Sequence, residues 1–92
     1  MALARTWSVG LAGEGRATVW SSALLDGRVA LVVGAEGTGL SRLVAERVDE
    51  LAAIPMAGHL ESLNVSAATA VALFEVVRRR AAAAAAGTGA VP

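Results

Sequence analysis

Ninety-two residues allow one domain at most, and at this length the core is small relative to the surface. Hydrophobic residues make up 55% of the chain but aromatics only 3%, so Ala and Val carry the packing, a composition suited to assembly with neighbouring surfaces. Eight arginines balance eight acids, which argues against a strongly basic nucleic-acid binder, and there is neither lysine nor cysteine. Amine nucleophiles, Schiff bases, disulfides and thiolate metal sites are thereby excluded, and a single imidazole, His59, gives no basis for a zinc or iron centre.

In chain order, MALARTWSVG has no apolar core of signal-peptide type, and no window approaches the roughly 18 uninterrupted apolar residues of a spanning helix. A cytoplasmic location, with no membrane partner, is the expectation. WSVGL, residues 7–11, reads as a strand, AGEGR as a turn, and ATVW, residues 17–20, as a second extended piece. VALVV, residues 29–33, is a Val-rich run that predicts a strand buried on both faces, as in a parallel sheet flanked by helices. After the glycines, Leu40, Leu43, Val44, Arg47 and Val48 fall at helical spacing, with Ser41 placed to cap the helix. LAAIPM, residues 51–56, is the next expected strand, completing a βαβ unit and an α/β class.

The last element is expected to start near Asn64 to Ser66 and to run through SAATAVALFEVVRRR. Ala70, Leu73, Phe74 and Val77 give it an apolar face, and Arg78, Arg79 and Arg80 sit where a helix C-terminus favours positive charge. The Ala run 81–86 continues or frays this helix, and GTGAVP reads as a disordered tail. The expected division is thus a body over residues 1–80 and an Ala-rich helix end with its tail over 81–92.

Two stretches bear on chemistry. In GAEGTGLS, Gly34 and Gly39 are separated by four residues as in the phosphate loop G-x-x-x-x-G-K-[ST], and Ser41 takes the hydroxyl position. Position 40 is Leu where the Lys belongs, and Glu36 repels phosphate, so a P-loop nucleotide site is a weak alternative. The dinucleotide fingerprint fails as well, because Arg42 stands where its third glycine is needed. A plain strand-to-helix turn explains one or two glycines, but not an acid among three. In HLESLNVS, His59, Glu61 and Ser62 have the residue types of a hydrolase triad, but they lie too close in sequence to converge as one. Ser62, Asn64 and Ser66 compete for one helix cap; three polar residues opening an apolar helix suggest that some of them face a ligand.

Taken together, LVVGAEGTGLS and IPMAGHLESLNVSAATAVALFE resemble motifs 2 and 3 of the SpoU (TrmH-like) branch of the SPOUT methyltransferases, and most nearly the branch acting on a guanosine of 23S ribosomal RNA. The resemblance spans residues 29–80 and, weakly, the stretch before them. It implies an α/β knot: a mainly parallel sheet flanked by helices with a deep trefoil knot, an exception to the usual absence of knots. It implies S-adenosyl-L-methionine as cofactor, held largely by backbone groups at Gly34, Ile54 and Leu63. Glu36, Ser62 and Asn64 match the polar positions that organise the catalytic centre and the RNA. It further implies transfer of a methyl group to a ribose 2′-hydroxyl of RNA, 23S rRNA before tRNA, by a homodimer to which the last helix contributes.

One departure from the family pattern is large. Motif 1, with its Asn and catalytic Arg, lies well upstream of motif 2 in the family, whereas 28 residues precede VALVV here and neither Arg5 nor Arg16 has a motif 1 setting. The expectation is a C-terminal portion with an α/β knot incomplete at its N-terminal side, inactive as a methyltransferase on its own, with a non-catalytic binding or dimerisation module as the alternative.

Overall fold

The computed structural model describes residues 5–35, 38–55 and 64–88. Four strands, β1 (Trp7–Leu11), β2 (Ala17–Thr18), β3 (Val29–Val32) and β4 (Glu50–Ala53), form one sheet in the order β2-β4-β1-β3. Every pairing is parallel, with Gly10 of β1 opposite both Val32 of β3 and Leu51 of β4. The helices are α1 (Arg42–Arg47) and α2 (Val65–Thr88), and a short 3-10 helix occupies Ala23–Asp26. The α/β class is as expected. The βαβ unit is also present, but its two strands are not neighbours, because β1 lies between β3 and β4.

The start of β1 is fixed by a reciprocal polar contact. Asp49, just before β4, accepts from the Ser8 amide at 2.8 Å and the Ser8 hydroxyl at 3.0 Å, while its own amide donates to the Ser8 carbonyl at 2.9 Å. Arg5 pairs with the same carboxylate at 3.0 Å and lies over the Trp7 ring, 3.9 Å from its centroid. The Ser8 amide, chiefly, then the Ser8 hydroxyl and Arg5, hold the Asp49 carboxyl below its ordinary range.

Val9, Val19, Leu25, Ala52, Ala72 and Val76 form the core among the described residues, with Leu11, Leu31 and Ile54 among those packed against it. Val9 and Ala52 come from the sheet, Val19 and Leu25 from the segment after β2, and Ala72 and Val76 from α2. The helix therefore packs on the segment 19–26 as much as on the sheet.

Three expectations are corrected here. VALVV is not buried on both faces: Ala30 is exposed and Val33 is 40% exposed, and β3 is an edge strand of this sheet, with β1 its one partner among the described residues. The helix after the glycines has six residues and buries none of them. Leu43 is 59% exposed, whereas Leu40 and Val48, flanking the helix, close over Gly10. The third correction concerns α2, whose expected inner face of Ala70, Leu73, Phe74 and Val77 is exposed, with Phe74 at 71%. The packed face is Ala72 and Val76 instead: the small residue at 72 lets the helix approach closely, and apolar residues spread over more than one side of the helix give no cue to the side chosen.

The helix also continues through residues 81–86 to Thr88, so the three arginines lie in its interior rather than at its end. Six alanines are the strongest run of helix formers the chain has, and they propagate the helix rather than fray it. Residues 89–92 of the expected tail lie outside the described residues. So does the segment 56–63, on which the expected knot depends. Among the described residues, no helix is long and apolar enough to cross a membrane.

Candidate functional site

The register of the sheet brings two of the expected positions to one end. Val32 and Leu51 flank the same residue, Gly10, in parallel strands, so Gly34, two residues beyond Val32, and Ile54, three beyond Leu51, both follow the carboxyl ends of their strands. That end is where ligands sit in parallel α/β sheets.

Gly34 opens a turn that closes on itself. Ala35 and Gly39 form an antiparallel bridge, with the Gly39 amide donating to the Ala35 carbonyl at 2.9 Å, and Gly39 has φ of 71°. A β-carbon on Gly34 would lie 2.0 Å from the Gly39 carbonyl carbon and 2.4 Å from the Leu40 nitrogen. The space that glycine leaves at position 34 is filled by the loop's own backbone. Any ligand here meets main-chain groups and the apolar surface of Val33, not a vacant side-chain niche. The turn delivers the chain to Ser41, whose hydroxyl accepts from the Val44 amide at 3.2 Å and caps α1.

Ile54 follows β4, is half-buried, and packs against the core. Asn64 caps α2: its Oδ1 accepts from the Ser66 amide at 2.7 Å and the Ala67 amide at 3.4 Å, and its carbonyl takes the first helical bond, from Ala68, at 2.8 Å. The competition among Ser62, Asn64 and Ser66 for the cap thus goes to Asn64. Glu36, Ser62 and Leu63, with His59 and Glu61, lie outside the described residues. Of the six expected site residues, Gly34, Ile54 and Asn64 are described.

The described part of this end is apolar and main-chain in character. Apolar Val33 and Ile54 stand at the strand ends, no lysine exists to neutralise phosphate, and among the described residues no group of His, Cys, Asp or Glu is arranged to hold a metal. A shallow cavity of about 430 Å³ lies elsewhere, between the β1–β2 turn and the start of β4, lined by Glu14, Arg16, Asp49 and Glu50 among others.

Sequence reasoning missed one residue that organises this region. In the sequence Arg79 reads, with its neighbours, as helix-end charge, yet its side chain is 11% exposed and is engaged with Glu75 and with the segment after β2. The available signal was spacing: positions 72, 76 and 79 fall on one face of a helix. Arg78 pairs bidentately with Glu75 at 2.8 and 2.9 Å, and Arg80 donates to the Gly27 carbonyl at 3.2 Å. Arg78 first, then Arg79, lowers the Glu75 carboxyl from an ordinary 4.5 to about 2.

Residues 2–74 match the SpoU rRNA Methylase family. The chain is 57% identical over 74 residues to the 23S rRNA (guanosine-2′-O-)-methyltransferase RlmB of Escherichia coli K12, covering 80% of this chain and 30% of that protein. It thus spans under a third of the length of such curated relatives. Among solved structures, it is similar to the SpoU methyltransferase AviRb from Streptomyces viridochromogenes in complex with AdoMet, with a TM-score of 0.74 and 33% identity over 82% of this chain and 28% of that one. A structure described as giving insight into 2-OH methylation of C/U34 on tRNA matches with a TM-score of 0.71 and 30% identity, covering 80% of this chain and 47% of that one.

Proposed function

The chain belongs to the SpoU rRNA methylase family, and from that membership we propose that it forms the cofactor-binding part of an S-adenosyl-L-methionine-dependent RNA ribose 2′-O-methyltransferase acting on a guanosine of 23S rRNA. The observation that carries this reading is the family match through residue 74, with Gly34 and Ile54 at the same end of a parallel sheet. When bound, the cofactor supplies an electrophilic methyl group on a sulfonium. The chain's own part is to hold it. Main-chain groups at Gly34, Ile54 and Leu63 take the adenine and amino-acid ends, and Val33 and Ile54 offer apolar surface to the flat ring. The positive sulfur tolerates an acid, Glu36, where a phosphate would not.

Ser62 and Asn64 complete the site. Asn64 acts through the cap it makes, which fixes the first turn of α2. The RNA substrate places the reaction in the cytoplasm. The outer stripe of α2, with Leu73, Phe74 and Val77 exposed, is the surface through which we propose that two copies of the chain associate.

A second reading is a module that binds the cofactor or dimerises without catalysing transfer. Calorimetric titration with S-adenosylmethionine and with ATP, followed by tritiated methyl transfer to 23S rRNA and tRNA, separates the possibilities. Binding of S-adenosylmethionine in preference to ATP is expected, and preference for ATP sinks the proposal. Transfer by the 92-residue chain excludes the non-catalytic module, and label in tRNA alone moves the substrate from ribosomal to transfer RNA.

A further inference from the structure

Each of the five N–H groups of the Arg79 guanidinium has an acceptor. Nε donates to Glu75 Oε2 at 2.8 Å, Nη2 to the Val19 carbonyl at 2.7 Å and the Trp20 carbonyl at 2.9 Å, and Nη1 to Asp26 Oδ1 at 3.1 Å and to the Ser22 carbonyl. Three main-chain carbonyls of one tight turn therefore converge on a single cation. Without it their lone pairs face one another in a half-buried space, an arrangement that costs free energy unless the turn opens. The turn is closed from its other side by Thr18 and Ser21, whose side chains exchange bonds with each other and with the main chain at 3.1–3.5 Å.

What this turn holds is β4. The Val19 amide donates to the Ala53 carbonyl at 2.9 Å, at the last residue of β4, and the Ser22 hydroxyl donates to Glu50 Oε1, at its first. Ile54 follows directly and packs against the core to which Val19 belongs. A continuous path of hydrogen bonds thus runs from α2 through Arg79 to Val19 and Ala53, one residue from Ile54.

We propose that Arg79 is a positioning residue: it locks the 19–22 turn so that the β4 end and Ile54 are held at a fixed place relative to α2, and cofactor affinity depends on that lock. The proposal rests on the reading of Ile54 as a cofactor contact. It separates Arg79 from its neighbours in the basic run, since Arg78 is tied only to Glu75 and Arg80 to Gly27 in the contacts described. Lysine cannot replace it, because an ammonium has three donors and no planar fork to span three carbonyls and two carboxylates.

The test compares Arg79→Lys with two controls, Arg80→Gln and Val76→Ala, in the 92-residue chain, each measured well below its melting temperature. Amide exchange at Val19 and titration with S-adenosylmethionine are the readouts. Arg79→Lys is expected to speed Val19 exchange and to raise the dissociation constant, each by about tenfold. Val76→Ala lowers the melting temperature without weakening binding, and Arg80→Gln leaves both readouts at the wild-type level. Unchanged Val19 exchange in folded Arg79→Lys overturns the proposal, as does an equal loss of affinity in Val76→Ala. Should Arg79→Lys not fold, Asp26→Asn, which weakens one of the five acceptors, is expected to shift both readouts in the same direction by about twofold, and no shift overturns it. Failure of the wild-type chain to bind S-adenosylmethionine refutes the proposed function, whereas Val19 exchange still decides whether Arg79 is the lock.

Discussion

A β-carbon added at Gly34 would sit 2.0 Å from backbone atoms of Gly39, while one added at Gly39 would meet nothing within 4 Å. The two glycines are therefore required for different reasons. Gly34 is required by space, since backbone and not a pliable side chain occupies the position. Gly39 is required by conformation, since its φ of 71° costs an L-residue about 1–2 kcal/mol. Gly34→Ala is expected to open the turn and to lower stability by more than Gly39→Ala, which should lose about 1 kcal/mol. Gly39→Asn should lose less still, because Asn tolerates the left-handed region. Urea unfolding of the three variants checks the order, and a Gly34→Ala midpoint equal to wild type would show that the turn readily opens to admit a side chain. From the sequence, Gly34 reads as backbone access for a ligand; the fold shows that a close approach within the chain already uses that glycine. Spacing alone does not distinguish a glycine kept for a ligand from one kept for its own loop, because both need the same missing β-carbon.

Strands and capped helices were legible because their signals are local: VALVV, LAA and WSVGL are apolar runs between turn residues, and Ser41 and Asn64 cap the helices that follow them. The orientation of α2 was not legible. Its apolar residues spread over more than one side, so the choice of Ala72 and Val76 over Leu73 and Phe74 as the inner face depends on the shape of the segment 19–26, which pattern does not encode. The role of the arginine run was hidden for a related reason, since Arg79 is explained by carbonyls about 60 positions away in sequence. Half of the expected site rests on the resemblance alone, because Glu36, Ser62 and Leu63 lie outside the described residues. Within α2, Glu75 supports Arg78 and Arg79 together, and its carboxyl is held at about 2 against an ordinary 4.5. A depressed folded-state pKa contributes stability that is complete above the unfolded value and is lost as pH falls toward the folded one. The chain is accordingly expected to lose melting temperature between pH 4.5 and about 2, with Asp49 adding a loss of the same sign. Glu75→Gln should start lower at pH 7 and show a flatter decline over that window. Parallel curves for the two proteins would mean that Glu75 titrates alike in the folded and unfolded chains.

For the molecule as a whole, six buried hydrophobic residues form the core among those described, and one of its two helices turns a second apolar face outward. An extended apolar stripe on a helix is ordinarily covered. Leu73, Phe74 and Val77 are 51%, 71% and 61% exposed and stand on the side of α2 away from Ala72 and Val76, so altering them leaves the core untouched. Burying a side chain of this size is worth about 1.5–3 kcal/mol. If two copies of the chain meet on this stripe, removing the Phe74 ring should weaken association by a factor on the order of 10–100. Sedimentation equilibrium of the wild type, Phe74→Ala and Phe74→Arg/Val77→Arg makes the comparison, with circular dichroism to show that α2 persists. The expected result is a dimer for the wild type, a weakened dimer for Phe74→Ala and a monomer for the double variant, all with the same helix content. A double variant that keeps the wild-type mass would place the interface elsewhere. A wild type that is itself monomeric, with melting temperature unchanged or raised by the arginines, would mean that no second copy covers this face.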